Sequence, residues 1–484
     1  MSKFNEKKSV KTVNKSGHIA YDMKDNDKLV TMVLCSFFNE RKCYGDNSNE
    51  LVELAEKVAS KEPRFVSNLA RVARKEYHLR SVSHVLTCII AHEVESKPYI
   101  KETVYDVVER ADDITEILSC YLSMYGKPIP NGLKKALGTA LTKFNEFQIS
   151  KYNGGSKSIK FRDVLRITHI KPKNNREQEL FNKIINDTLP IATRWETELS
   201  ANGNNKETWE SLIENNQLGY MAMLRNLRNI LNAQPNNIDK VFVKLEDKEE
   251  VLKSKQLPFR YFSAYREVMG LSNCSSKVLD VLENAIEHSV ENLPKLKGKT
   301  VIAIDVSGSM DCHISKNSSI MCCDIAILLG VLASRMCEDY IVYTFDTSLY
   351  DKTFSSHSSI IGTALKMRCW GGGTDIELPL KKMINDKIQA DRLIILSDNE
   401  INNSYRGYTH TCQSLADEYR RKVNPNLWVH AVDLQGYGTQ QFIGGKTNIV
   451  AGWSERLLEF MNLAEQGIDT QVEYIANYHI RDLD

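Results

Sequence analysis

The sequence predicts an α-helical array of stacked helix pairs over residues 1–295, followed by an α/β doubly wound domain over residues 296–484. Three observations carry this. From about Leu29 to Glu291, apolar residues recur at spacings of three and four, the period of amphipathic helices. After about Lys297, short apolar runs that end in acids alternate with helical stretches, the pattern of a parallel sheet covered by helices. The charge balance changes at the same place: residues from Leu296 onward carry 18 basic and 23 acidic side chains, and those before it 45 and 39. A net charge of only +1 therefore hides a basic front and an acidic back. Such asymmetry points to an anionic partner for the front part.

In the front part, Leu51, Leu54 and Val58 form one apolar face, and Phe65, Leu69 and Val72 a second. Val82, Val85, Leu86, Ile89 and Ile90 form a third, and Leu133, Leu137, Leu141 and Phe144 a fourth. Breaks fall at Glu62-Pro63, at Lys97-Pro98 and between Tyr125 and Gly132. Helices of roughly 10–16 residues in succession suggest stacked pairs rather than one bundle. In the back part, strands are expected at Thr300–Asp305, Asp339–Phe345, Arg392–Leu396, Asn426–Leu434 and Thr447–Ala451. Helices are expected at Ile320–Cys337, Ser359–Met367, Ile376–Ile384 and Thr411–Arg421, and Lys295–Lys299 reads as a linker.

Composition bounds the class. With 484 residues, 26% of them charged and 42% hydrophobic, the chain has enough material for two or three cored domains. The polar, basic stretch from Met1 to Lys15 has no apolar core of a signal peptide. The longest apolar run, about Ile325–Ala333, is too short for a bilayer, which needs about 20 residues. The 11 cysteines include no CxxC spacing. A cytoplasmic protein with reduced thiols and no membrane partner is expected.

The sharpest motif is Asp305-Val306-Ser307-Gly308-Ser309, directly after an apolar strand. Ligand groups in open α/β sheets gather at the carboxyl ends of strands. The Gly371-Gly372-Gly373-Thr374-Asp375 loop offers a further hydroxyl, and Ser397-Asp398 a further carboxylate. Asp305, Ser307, Ser309, Thr374 and Asp398 thus make a set of hard oxygen donors suited to Mg²⁺, or Mn²⁺, rather than zinc. Their order resembles the DxSxS…T…D metal-ion-dependent adhesion site of von Willebrand A domains. That resemblance implies an ion with an open position for a partner's carboxylate. His313 is expected to be solvent-exposed rather than catalytic. Without a nucleophile–base pair, or the several carboxylates of a two-metal centre, no enzymatic activity is expected.

The second constellation lies between Lys134 and Arg176, where eleven basic residues face two acids, Glu146 and Asp163. The candidate nucleic-acid contacts are Lys134, Lys135, Lys143, Lys151, Lys157, Lys160, Arg162, Arg166, His169 and Lys171, with Tyr152, Phe161 and His169 as interleaved rings. Cations neutralise phosphates and rings stack on exposed bases. RNA is favoured over duplex DNA, because no helix-turn-helix or zinc finger is evident. Trp195, Trp209 and Trp453 are expected in the core. Arg225, Asn226, Arg228 and Asn229 could face RNA, but are expected rather to hydrogen-bond inter-repeat loops.

Lys151-Tyr152 followed by Asp163-Val164-Leu165-Arg166-Ile167-Thr168-His169-Ile170-Lys171-Pro172 resembles a segment of TROVE-domain proteins of the Ro autoantigen family. Thr208–Ile213, Leu218–Asn229, Arg110-Ala111-Asp112-Asp113 and the early Asn14, Gly17 and Tyr21 extend the likeness. The resemblance implies a HEAT-like helical repeat ring closed by a von Willebrand A-like domain, natural as a monomer. It also implies binding of small noncoding, Y-like RNA on an outer basic surface, with Lys151 and His169 among the contacts. Single-stranded 3′ ends of misfolded RNA would enter a central hole, in RNA quality control or ribonucleoprotein assembly. An exoribonuclease or other protein could dock at the metal site. The other function considered is a metal-dependent docking adaptor that works mainly through the A-like domain.

Overall fold

A computed structural model describes residues 11–14, 17–35, 49–153, 158–190, 194–291, 295–313, 320–367, 371–401, 411–452, 456–466 and 471–478. The chain divides into two compact units, one of Asp25–Arg194 with Gln471–Asp484, the other of Met1–Lys24 with Trp195–Thr470. This division does not follow the change of texture at Leu296, because the helices from Trp195 onward group with the sheet.

The first unit is helical. Each apolar face read from the sequence lies on one helix or runs just past its end: Asn49–Ala59, Pro63–Lys75, Ser81–His92 and Asn131–Leu141. Their stripe residues, from Leu51 to Phe144, are buried. Pro63 occupies the first turn of its helix, where its missing N–H costs nothing. Gly126, at φ 67°, ends Ala111–Tyr125.

Burial in this unit also encloses charge. Asp113, fully buried, accepts hydrogen bonds from Arg74 (3.0 Å), Arg80 (2.6 Å) and the backbone N–H groups of Glu109 (3.1 Å) and Arg110 (2.9 Å). Burial alone would raise its pKa. The hydrogen bond with His84 and the charges of Arg74 and Arg80 outweigh that and hold it far below the usual carboxylate range. Asp113 belongs to the Arg110–Asp113 motif, whose work is therefore structural. The helix Gln471–Ala476 also packs here, although it lies at the far end of the sequence. The buried amide of Asn68 donates to Ile475 O (3.0 Å) and Ala476 O (3.2 Å).

The second unit combines helices with two sheets. β1 (Lys11–Val13), β2 (Ile19–Asp22) and β8 (Thr439–Gln440) form a small antiparallel sheet. The main sheet comprises β3 (Leu296–Asp305), β4 (Cys337–Phe345), β5 (Leu349–Asp351), β6 (Arg392–Ser397), β7 (Trp428–Asp433) and β9 (Thr447–Ala451), in the order β5-β4-β3-β6-β7-β9. All its pairs are parallel except β4 with β5. Burial of both faces makes these strands read as continuous apolar runs. The helices Cys322–Met336, Ile360–Lys366, Glu377–Asn385 and Cys412–Lys422 fall within a residue or two of their expected spans.

The expected linker Lys295–Lys299 is instead mostly strand. Leu296 already pairs with Cys337, and a register shift before Lys299 absorbs the polar residues. The N–H of Lys299 donates to Asp391 Oδ2 at 2.8 Å, so the irregular stretch is anchored rather than loose. Trp209 is fully buried, with Nε1 donating to Asn204 Oδ1 at 2.6 Å. Trp195 is half-buried, and Trp453 lies outside the described residues. No helix among the described residues is long and apolar enough to cross a membrane.

Candidate functional site

The two constellations fall in different units. In the second unit, Asp305 ends β3 and Ser397 ends β6, the strand beside it. Ser397 Oγ donates to Asp305 Oδ2 at 2.6 Å, and the N–H of Ser307 donates to Asp305 Oδ1 at 2.9 Å. The turn after Asp305 meets the glycine loop through Gly308 N–H to Gly372 O, 3.0 Å. Gly372 sits at φ 100°, a conformation that side chains oppose. This approach puts Thr374 Oγ1 at 2.8 Å from Ser307 Oγ, which is in turn 3.1 Å from Ser309 Oγ. Asp398 follows β6, and its Oδ1 accepts from the N–H of Glu400 at 3.1 Å.

All five expected donors thus gather around the carboxyl ends of β3 and β6. Asp305, Ser307, Thr374 and Asp398 are buried, while Ser309 is exposed and marks the side open to solvent. The donor set fits a small hard cation. Mg²⁺ takes oxygens at 2.0–2.1 Å in an octahedron, so neighbouring ligands stand about 2.9 Å apart, close to the two hydroxyl–hydroxyl distances here. Burial first, and then the charge of Asp398, push Asp305 up to about 7 against the hydrogen bonds from Ser307 and Ser397. Two buried carboxylates that repel each other favour a cation between them.

Three groups beside this site were not singled out in the sequence. Asp433 ends β7 opposite Ser397 and is buried. Burial raises it to about 7, backbone N–H groups of Gly436 and Gln435 oppose, and Asp398 and Glu400 add to the rise. Its position at the end of an apolar run was the available signal. Glu400, also buried, sits in a loop and carried none. Cys312 and Cys322 have their sulfurs 2.8 Å apart, with Gln435 Nε2 donating to both. The hydrogen bond with Cys322 brings the Cys312 thiol down to about 7 against burial, with help from Gln435. Cys323 is disulfide-bonded. That corrects the expectation of reduced thiols throughout. His313 is exposed, as expected.

In the first unit, the helices Asn131–Leu141 and Phe161–Thr168 pack closely. A Cβ on Gly138 would stand 3.1 Å from Ile170 Cβ and 3.2 Å from Thr168 Cβ. The contact brings the helix of Lys134 and Lys135 against the end of the helix that carries Arg162, Arg166 and His169. Lys135, Arg166, His169 and Lys171 are exposed, while Lys134, Lys151, Lys160 and Arg162 are half-buried. His169 closes its helix in the left-handed region at φ 51°. Lys157 lies outside the described residues.

Two candidates turn inward. Phe161 is 1% exposed and belongs to the core, because the first turn of its helix packs inward. The ammonium of Lys143 donates to Tyr105 O (2.7 Å) and Val108 O (2.6 Å), at the end of the helix Ile100–Val107. Burial, then the charge of Lys75, lowers its pKa. Its charge serves a helix terminus before any phosphate. The acids of the segment are paired locally. Glu146 meets Lys183 at 2.7 Å, and Asp163 accepts from the N–H of Lys160 at 2.9 Å. In the second unit, Asn226 donates to Ala222 O, Arg228 to Glu267 and Asn229 to Asn226, whereas Arg225 is exposed.

Comparison with known proteins places both constellations in family domains. The TROVE domain matches residues 20–188 and 187–306. The Ro60 vWA domain matches residues 299–434. The chain is 23% identical over 266 residues to RNA-binding protein RO60 of Caenorhabditis elegans, a match that covers 51% of this chain and 39% of that protein. The protein of the same name from Deinococcus radiodurans is 22% identical over 233 residues, 45% of this chain and 43% of that one. Telomerase protein component 1 of Rattus norvegicus is 21% identical over 322 residues, 49% of this chain but 12% of that protein. The matches thus span less than half the length of these curated relatives. The crystal structure of Deinococcus radiodurans RO (RSR) protein shares the fold, with a TM-score of 0.64 at 14% identity, over 92% of this chain and 100% of that one.

Proposed function

The chain belongs to the TROVE-domain family that includes the RO60 proteins, and from that premise we propose that it is an RNA-binding protein and not an enzyme. The observation that carries this is the exposed set Lys135, Arg166, His169 and Lys171, on helices packed through Gly138 and within the TROVE match. Of the two local acids, Glu146 is paired with Lys183, so the eleven basic residues of the segment keep its sign positive. Such a surface attracts phosphates and releases their counterions, which makes affinity fall steeply with salt. The RNA is proposed to be a small noncoding, Y-like RNA, together with single-stranded 3′ ends of misfolded RNA. RNA quality control or ribonucleoprotein assembly, in the cytoplasm and as a monomer, is the proposed setting.

The test is fluorescence anisotropy of the purified chain with a structured small RNA that carries a single-stranded 3′ tail, across a salt series, beside duplex DNA. RNA-preferring, salt-dependent binding is expected, and Lys151→Ala with His169→Ala should weaken it and flatten the slope. Lys143→Ala should leave the slope unchanged, because that ammonium is already engaged. Affinity equal to that for the DNA would overturn the reading.

A second role is favoured by the hydroxyl spacings at the sheet. Asp305, Ser307, Ser309, Thr374 and Asp398 would hold Mg²⁺, or Mn²⁺. Bound there, the ion would supply a positive charge beside the exposed Ser309. The three hydroxyls are neutral donors, so the ion would still accept a carboxylate from a docking protein, an exoribonuclease among the candidates. Pull-down from extract with Mg²⁺ or chelator checks this. Partners retained equally in both would count against it.

A further inference from the structure

Resting on the RNA reading above, we propose that Phe147 is a base-stacking residue that makes this face select unpaired RNA bases over paired ones. Phe147 is 59% exposed, an unusual position for a phenylalanine, which buries a large apolar area when it can. Its exposure is not the fraying of a loose segment. The helix Glu146–Ser150 is capped reciprocally: the N–H of Gln148 donates to Asn145 Oδ1 and the N–H of Asn145 to Gln148 Oε1, both at 2.9 Å. Ile149 and Ser150 are buried and fix the same turn to the core. The ring is therefore held outward by a rigid element.

Its surroundings are cationic and aromatic. Lys151 follows one helical turn later, with its N–H bonded to Phe147 O at 2.9 Å, so the two side chains share a face. The ammonium of Lys151 stands 5.4 Å from the Tyr152 ring, and the Arg110 guanidinium 4.8 Å from the same ring. Four residues before Phe147, Lys143 lies 4.3 Å over the ring of Tyr105, which is 42% exposed. The one acid in the helix, Glu146, is taken by Lys183. Arg110 is paired with Asp112 (2.9 Å) and Lys143 with two carbonyls, which leaves Lys151 as the cation beside the outward ring. That pair matches the chemistry of a single-stranded nucleic acid, whose phosphate meets the cation while a base lies on the ring. A protein partner would instead find the patch charged and small, and a paired base has no free face to offer.

The experiment compares Phe147→Ala, Phe147→Leu and Phe147→Tyr in the full chain, by anisotropy with a single-stranded oligoribonucleotide and a blunt RNA duplex of equal length. Phe147→Ala should lower single-strand affinity roughly five- to a hundredfold, with the salt slope kept and duplex affinity unchanged. Phe147→Leu, apolar without a ring, should behave as the alanine variant, and Phe147→Tyr should restore binding. Lys151→Ala should instead flatten the slope for both RNAs. If the wild-type chain binds RNA and Phe147→Ala binds the single strand equally well, or loses both RNAs in parallel, the stacking role fails alone. If the wild-type chain binds neither RNA, the RNA reading fails, and this inference with it.

Discussion

Asp305 and Asp113 are both fully buried carboxylates, yet their surroundings give them opposite chemistry. Asp113 is ringed by Arg74, Arg80 and backbone N–H groups and is held ionised. Asp113→Ala would leave two guanidinium groups without their buried partner, at a cost of about 3–5 kcal/mol, measurable by urea unfolding. Asp305 faces Asp398 with only hydroxyl and amide donors to help. Asp305→Asn keeps the shape and removes the repulsion, so the metal-free variant should melt no lower than the wild type. Added Mg²⁺ should raise the wild-type melting temperature through binding to the folded state and leave the variant unmoved. A rise of equal size in both would count against these donors. Both positions could be read from the sequence as acids in motifs. Which is a latch and which a candidate ligand could not, because that depends on arginines more than thirty residues from Asp113 and on Asp398, 93 residues from Asp305 and just past the neighbouring strand.

At the scale of elements, the helix Arg456–Glu465 shows how one side chain fastens a helix to a sheet. Glu465 bonds Arg392 of β6 (2.6 Å) and His430 of β7 (2.9 Å). Burial would raise Glu465, but the bonds from Arg392 and His430 bring it down to about 2. His430, fully buried, is lowered by that burial against the pull of Glu465. Both shifts favour the folded state at neutral pH. As pH falls below the ordinary histidine value of 6.5, the unfolded chain takes up a proton that folded His430 refuses. Below the ordinary glutamate value of 4.5, the unfolded chain does so again, until folded Glu465 titrates near 2. The glutamate contribution is on the order of 3 kcal/mol and is lost over that lower window. Urea unfolding at pH 7, 5 and 3.5 should show stability falling at each step, and Glu465→Gln should flatten the lower part of the curve. The strands and helices themselves were legible from apolar runs and periodicity. The small sheet of β1, β2 and β8 was not, because segments of two to four residues have no readable period and β2 pairs with β8 over 400 residues away.

At the scale of the whole molecule, the packing units cut across the sequence order. The helix Gln471–Ala476 belongs with residues 25–194, where Ile475 is fully buried and Asn68 caps the backbone of its last turn. A chain ending at Thr470 should lose at least the burial of Ile475, about 1.5–3 kcal/mol, and calorimetry should show a lower melting transition than for the full chain. An unchanged transition would mean that this helix only rests on the unit. By itself the sequence determined the helical and α/β character, the order of the parts, the five oxygen donors and the basic segment. These are local properties, written in period, composition and motif. Tertiary structure alone decided that the described residues 11–14 and 17–24 group with the sheet and residues 471–478 with the helices of 25–194. It also decided that Lys143 and Phe161 turn inward while Phe147 turns outward, and that Glu400 and Asp433 stand beside the metal-site candidates. Each of these depends on contacts between residues remote in the chain, which periodicity does not encode.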